Sequence, residues 1–204
     1  METSDSLSQF FYNIVPGFLF LLTIDYLLGF KFLTFLPYKY MKDKEILFAF
    51  AFLSLSLFIG FIFQGFTKFV RKRLEINQKI WEKIKNDNSS SFKKSVELLR
   101  RMGLLDEKTD LKEIFYLMNN YLEGEQKAAL SKFFSLRVAF WSNMFFAIYF
   151  LIPITVWVEK YSALIILLFL FPYSYWLFET YLKIHYDTVL KTFVTVTNFK
   201  KNNI

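Results

Sequence analysis

Asp25 lies inside NIVPGFLFLLTIDYLLGF, residues 13–30, where no other residue carries a charge. A carboxylate in such a run is either protonated and hydrogen-bonded between helices or ionised beside a hydrated path, and the sequence leaves both readings open. The remaining groups with chemical potential are scattered. Glu179 and Asp187 stand far along the chain from Asp25, whereas an enzyme acting on phospholipid headgroups gathers its carboxylates at one interface. His185 is the only histidine, and Glu179, Thr180 and Tyr181 precede it where a HEPN-type ribonuclease would place an arginine. It reads as a helix residue at a membrane interface, notable only for a near-neutral pKa.

With no cysteine, thiolate chemistry, disulfides and cysteine-ligated zinc are excluded, and the redox compartment is left unspecified. No phosphate-loop, dinucleotide-glycine, HExxH or GxSxG pattern occurs. The expectation is a protein with no catalytic residue, no cofactor and no metal.

The elements that hold these residues follow from hydropathy. In 204 residues, 54% are apolar and 22% aromatic, which is unusual for a soluble domain. Ile46–Phe66 and Val138–Val158 contain no charge, Tyr161–Phe178 ends at Glu179, and Val15–Leu36 contains only Asp25 and Lys31. A helix crosses a bilayer with about 20 apolar residues. The runs therefore predict spans at 15–36, 46–68, 138–158 and 161–180 in an all-α integral membrane four-helix bundle. The organisation expected is 1–70 for the first two spans, 71–136 for a small cytoplasmic helical cap, 137–182 for the last two spans and 183–204 for a C-terminal helix and tail. Glu2 and Asp5 stand where a signal peptide would be positive, so the first run is expected to stay in the chain. The 28 Phe read as lipid-facing residues encoded by A+T-rich codons.

Charge sets the orientation. If 71–136 faces the cytoplasm, only Lys31, Lys39, Lys42, Lys44 and Lys160 lie outside, leaving 20 of the 25 Lys and Arg inside. The positive-inside rule then places both termini in the cytoplasm. Arg71, Lys72 and Arg73 follow span two and Arg137 opens span three, while Tyr38, Tyr40, Trp157 and Tyr161 fall at the outer interface.

In the central segment, Leu74, Ile80, Trp81 and Ile84 have helical spacing, so span two is predicted to continue as one long helix until NDNSSS breaks it. Ser91 is the expected N-cap and Gly103 the stop of an amphipathic helix with Phe92, Val96, Leu99 and Met102 along one face. Asp110 and Glu113 form a capping box before Leu111, Ile114, Phe115, Met118, Tyr121 and Leu122, an apolar face that must pack on something. A further helix is expected from near Glu125 into span three, and another over 179–198, with KKNNI as a frayed tail.

Lys93, Lys94, Arg100 and Arg101 join Arg71, Lys72 and Arg73 in a basic cytoplasmic surface. The plain reading is stop-transfer charge and a solvated helix face, with anionic lipid next and nucleic acid disfavoured because no aromatic stacking platform accompanies the charge. If span one starts near Val15, with Pro16 in its first turn, Asp25 falls near mid-bilayer. Ser56, Tyr149 and Tyr173 fall at similar depth, which makes these four an expected polar cluster.

The pattern FFYNIVPGFLFLL, the four-span layout and the basic helical insert resemble the small multispan accessory and effector membrane proteins of bacterial antiphage systems, of the type VI-B CRISPR kind. That resemblance implies a regulatory or membrane-perturbing role in defence. The function expected first is a homo-oligomeric, non-enzymatic effector that alters permeability when its cap is engaged. The alternatives are a membrane anchor recruiting a cytoplasmic protein and, behind it, a lipid-modifying enzyme.

Overall fold

The computed structural model describes residues 2–29, 45–73, 75–105, 109 and 111–202. Among these the chain is all-helical, with seven helices and no strand. The first, α1 (Glu2–Leu27), begins and ends earlier than the predicted span 15–36, and its apolar window runs from Phe10 to Leu27. Pro16 lies in the helix interior and not in the first turn. The helix stops because Gly29 takes φ +70° and its N–H turns to the carbonyl of Tyr26.

Helix α2 (Glu45–Arg73) ends on Arg71, Lys72 and Arg73, cations that complement the negative end of its dipole. It does not continue as one helix. Glu75 adopts a left-handed φ of 51°, and a separate α3 (Ile76–Asp87) follows, burying Ile80, Trp81 and Ile84. Leu74 lies outside the described residues, and α4 (Ser89–Arg101) starts after the expected break at Asn88. Ser91 is inside α4 rather than at its cap, where its carbonyl accepts from Ser95 Oγ at 2.9 Å. Gly103 ends the helix as predicted. With φ +68° it lets its N–H reach Arg100 O and the N–H of Leu104 reach Leu99 O, a paired closure that satisfies the last carbonyls.

Helix α5 (Leu111–Gly124) buries Ile114, Met118 and Leu122, as its spacing predicts. Asp110 and the Leu111 side chain lie outside the described residues. Helix α6 (Ala129–Trp157) starts later than Glu125 because Gln126 is left-handed, at φ 56°. Helix α7 (Tyr161–Asn202) takes in Lys200 and Lys201, which the sequence assigned to a frayed tail.

Four helices, α1, α2, α6 and α7, are long and apolar enough to cross a membrane. At about 1.5 Å per residue the 42 residues of α7 measure roughly twice a hydrocarbon core of about 30 Å. Its apolar stretch to Phe178 suffices, and the ion pairs Lys183–Glu179 (3.0 Å) and Lys191–Asp187 (2.6 Å) follow it.

The chain divides into two compact units, Met1–Val70 with Leu136–Phe178, and Arg71–Ser135 with Glu179–Ile204. In the first, Leu27, Ile148, Leu151 and Leu167 form one apolar cluster, and Phe63, Phe146 and Ala147 another. Phe58 is 62% and Phe169 75% exposed, and such outward aromatic surface suits lipid rather than water. In the second unit Trp81 sits at the centre of α3, α4, α5 and α7. Its ring lies within 5.8 Å of the rings of Phe92, Phe115 and Tyr186. Leu182, Val189, Leu190 and Phe193 of α7 are fully buried there.

Candidate functional site

In the first unit, helix approach is set by two glycines. A Cβ on Gly17 would stand 1.9 Å from the carbonyl oxygen of Ser56, and one on Gly60 would stand 2.0 Å from that of Asn13. Small residues let backbones meet closely where lipid provides no hydrophobic drive between helices. Next to this contact Asn143 Nδ2 donates to Asn13 Oδ1 at 3.1 Å, and Thr67 Oγ1 points to Asn143 Oδ1 at 3.5 Å. The three buried side chains join α1, α2 and α6.

The expected cluster of Asp25, Ser56, Tyr149 and Tyr173 is not assembled in this way. Asp25 is 1% exposed, but it stands near the Leu27 end of its apolar window rather than at the middle. Ser56 is buried against Gly17, about 12 Å along the helix from Asp25, and its hydroxyl donates to Phe52 O at 2.8 Å. Tyr149 and Tyr173 are 53% and 51% exposed, turned outward among Phe171, Trp141 and Trp176. Depth along a span is legible in sequence, but depth does not say which side of the helix a residue occupies. Carrying the Asn13–Asn143 pairing 12 residues along both helices brings Asp25 level with Thr155, a fully buried hydroxyl that donates to Leu151 O. Asn13, Thr67, Asn143 and Thr155 were all missed by the sequence reading. The signal that singled out Asp25, a polar side chain in an uncharged run, applies equally to Asn143.

In the second unit, Arg71 is not part of an exposed surface. Its Nε and Nη2 donate to Asn77 Oδ1 at 3.0 and 2.8 Å, spanning the left-handed break at Glu75. Burial lowers its pKa, opposed by Tyr186, whose own hydroxyl is pushed up to about 12 by burial, with the Arg71 charge pulling the other way. His185, on α7, is half-buried within the second unit. Its ring packs on Phe115 at 5.5 Å, and burial pushes its pKa down to about 4 even though Nδ1 donates to Ser131 O at 3.0 Å.

His185 and Ser131 look at first like a base and a nucleophile, with Ser131 Oγ 3.4 Å from Nδ1. The geometry assigns other duties. The facing ring nitrogen carries the proton given to the Ser131 carbonyl, and the buried hydroxyl donates to Asn119 Oδ1 at 3.1 Å. Among the described residues no group of three potential metal ligands converges. Of the basic residues singled out, Lys72, Arg73, Lys93, Lys94, Arg100 and Arg101 are exposed, the last paired with Glu97. On α5, Phe115 and Tyr121 are half-buried beside Ile114, Met118 and Leu122, against Tyr186 and Phe193 of α7. The described residues of this apolar face are thereby covered from within the chain. No protein-family model, no curated protein and no solved structure matches this chain.

Proposed function

We propose that the chain is a non-catalytic membrane anchor of a bacterial inner membrane, with its basic helical unit presented to the cytoplasm as a docking module for a partner protein. One observation carries this reading: the exposed side-chain hydroxyls of Ser54 and Thr23 are satisfied by their own helices. Ser54 Oγ donates to Phe50 O and Thr23 Oγ1 to Leu19 O, each at 2.8 Å. The outward faces of α2 and α7 otherwise carry residues such as Phe50, Phe58, Phe61, Ile165 and Phe169, with the amphipathic rings of Tyr173 and Tyr175 among them. A surface of this kind dissolves in lipid and offers an ion no substitute for water. Chemistry for recognition is left to the unit with the exposed cations. The resemblance to antiphage accessory proteins supplies the context, a regulator engaged at the membrane.

A second reading is the oligomeric effector that alters permeability. Only 22% of the apolar window of α2, and the same share of that of α7, is buried, which leaves room for further copies around an axis. The lipid-modifying enzyme is the weakest of the three, since Glu179 and Asp187 are each ion-paired with a lysine one turn on.

Dye-loaded liposomes discriminate between the first two. The anchor keeps the dye inside and migrates in detergent as a 24.5 kDa chain. Leakage in proportion to added protein, with an assembly well above that mass, replaces it with the effector.

A further inference from the structure

Helix α4 turns Phe92, Ser95 and Leu99 inward. At 3.6 residues per turn its opposite side is formed by Lys93, Lys94, Glu97, Arg100 and Arg101, all exposed. Glu97 is engaged by Arg101, so the face keeps a surplus of positive charge along its length. Cations alone would describe a solvated helix. The helix, however, closes on the Gly103 turn, where Met102 and Leu104 are 37% and 44% exposed directly after the arginine pair. Large apolar side chains beside guanidinium groups match one kind of surface, an anionic phosphate layer over an apolar interior.

We propose that the basic face of α4, together with Met102 and Leu104, binds anionic phospholipid headgroups. Arg100 and Arg101 engage phosphate oxygens through their planar donor forks, Lys93 and Lys94 add point charge, and Met102 and Leu104 enter the headgroup boundary. Nucleic acid fits less well, because Trp81 and Phe92 are buried in the core and the face offers no ring for base stacking. The inference rests on the reading of the chain as membrane-embedded. It does not depend on which side the unit occupies, since a nanodisc presents the same lipid on both faces.

The test uses the full chain carrying Leu104→Cys labelled with bimane, in a background without native cysteine. It is placed in nanodiscs of brominated phosphatidylcholine, alone or mixed with phosphatidylglycerol. Quenching is expected to rise roughly twofold or more in the anionic discs. It should fall back in Arg100→Gln/Arg101→Gln, persist in Arg100→Lys/Arg101→Lys, and vanish at 1 M salt, where the Debye length is about 3 Å. Equal quenching in both lipids overturns the proposal, and so does no quenching in either. Arginine-dependent binding of a single-stranded RNA without lipid quenching overturns it too and assigns the face to nucleic acid. Failure of the chain to co-elute with the discs is the separate failure of the anchoring reading and is seen before any quenching is measured.

Discussion

His185 illustrates how far a single residue departs from its reading in isolation. Alone in the sequence it was a near-neutral titrating group, but packed on Phe115 with Nδ1 against Ser131 O it resists protonation until about pH 4. The unfolded chain takes up that proton near pH 6.5, so folding is fully supported above this value and loses support as pH falls towards 4. The loss amounts to at most about 3–4 kcal/mol at about 1.4 kcal/mol per tenfold change in proton affinity. Thermal unfolding at pH 7 and pH 4.5 should therefore show an acid-induced drop in midpoint that His185→Asn largely removes. An equal drop in the variant would assign the acid sensitivity to other groups. No sequence rule gave this result, because the groups that cover the ring, Phe115 of α5 and Ser131 of α6, each precede it by more than 50 residues. Asp25, in contrast, was legible as an anomaly from its neighbours alone, and its burial agrees with the expectation that a carboxylate in an apolar run faces protein.

At the scale of elements, the uncharged runs located the four helices long and apolar enough to cross a membrane, and Gly103 marked the end of α4 because only glycine enters a left-handed turn at low cost. Boundaries made by other residues were illegible. Glu75 and Gln126 are left-handed without being glycine, so neither the break after α2 nor the late start of α6 had a composition signal. Helix pairing was hidden as well, since Gly17 and Gly60 are ordinary in sequence and become decisive only where two backbones meet. Gly17→Ala or Gly60→Ala must push α1 and α2 apart and should lower the detergent unfolding midpoint sharply. At Gly65, where a Cβ meets nothing within 4 Å, alanine should be neutral or stabilise by up to about 1 kcal/mol through helix propensity. If all three variants unfold alike, the close approach is not what holds these helices.

For the whole molecule, the distribution of basic residues predicts one orientation. Lys42→Cys should react with an impermeant thiol reagent in intact cells and Lys108→Cys only after permeabilisation, against a background without native thiols. The opposite labelling pattern would remove the cytoplasmic docking module from the proposal. Composition carried the case for membrane residence. The make-up of the second unit was less legible, because its core draws on residues on both sides of the last two spans.

That discontinuity has a consequence for biosynthesis. When Arg71–Ser135 leaves the ribosome, the side chains that complete its interior, Leu182, Tyr186, Val189, Leu190 and Phe193, have not yet been made. Two helices long and apolar enough to cross a membrane must be synthesised first, which at about 5–20 residues per second takes several seconds. Throughout that interval Trp81 and Phe115 lack the α7 rings they pack on, and the half-built unit is exposed to chaperones and proteases. A chain whose translation stops before Glu179 never leaves that state, so closure of this core reports that the last span has been made.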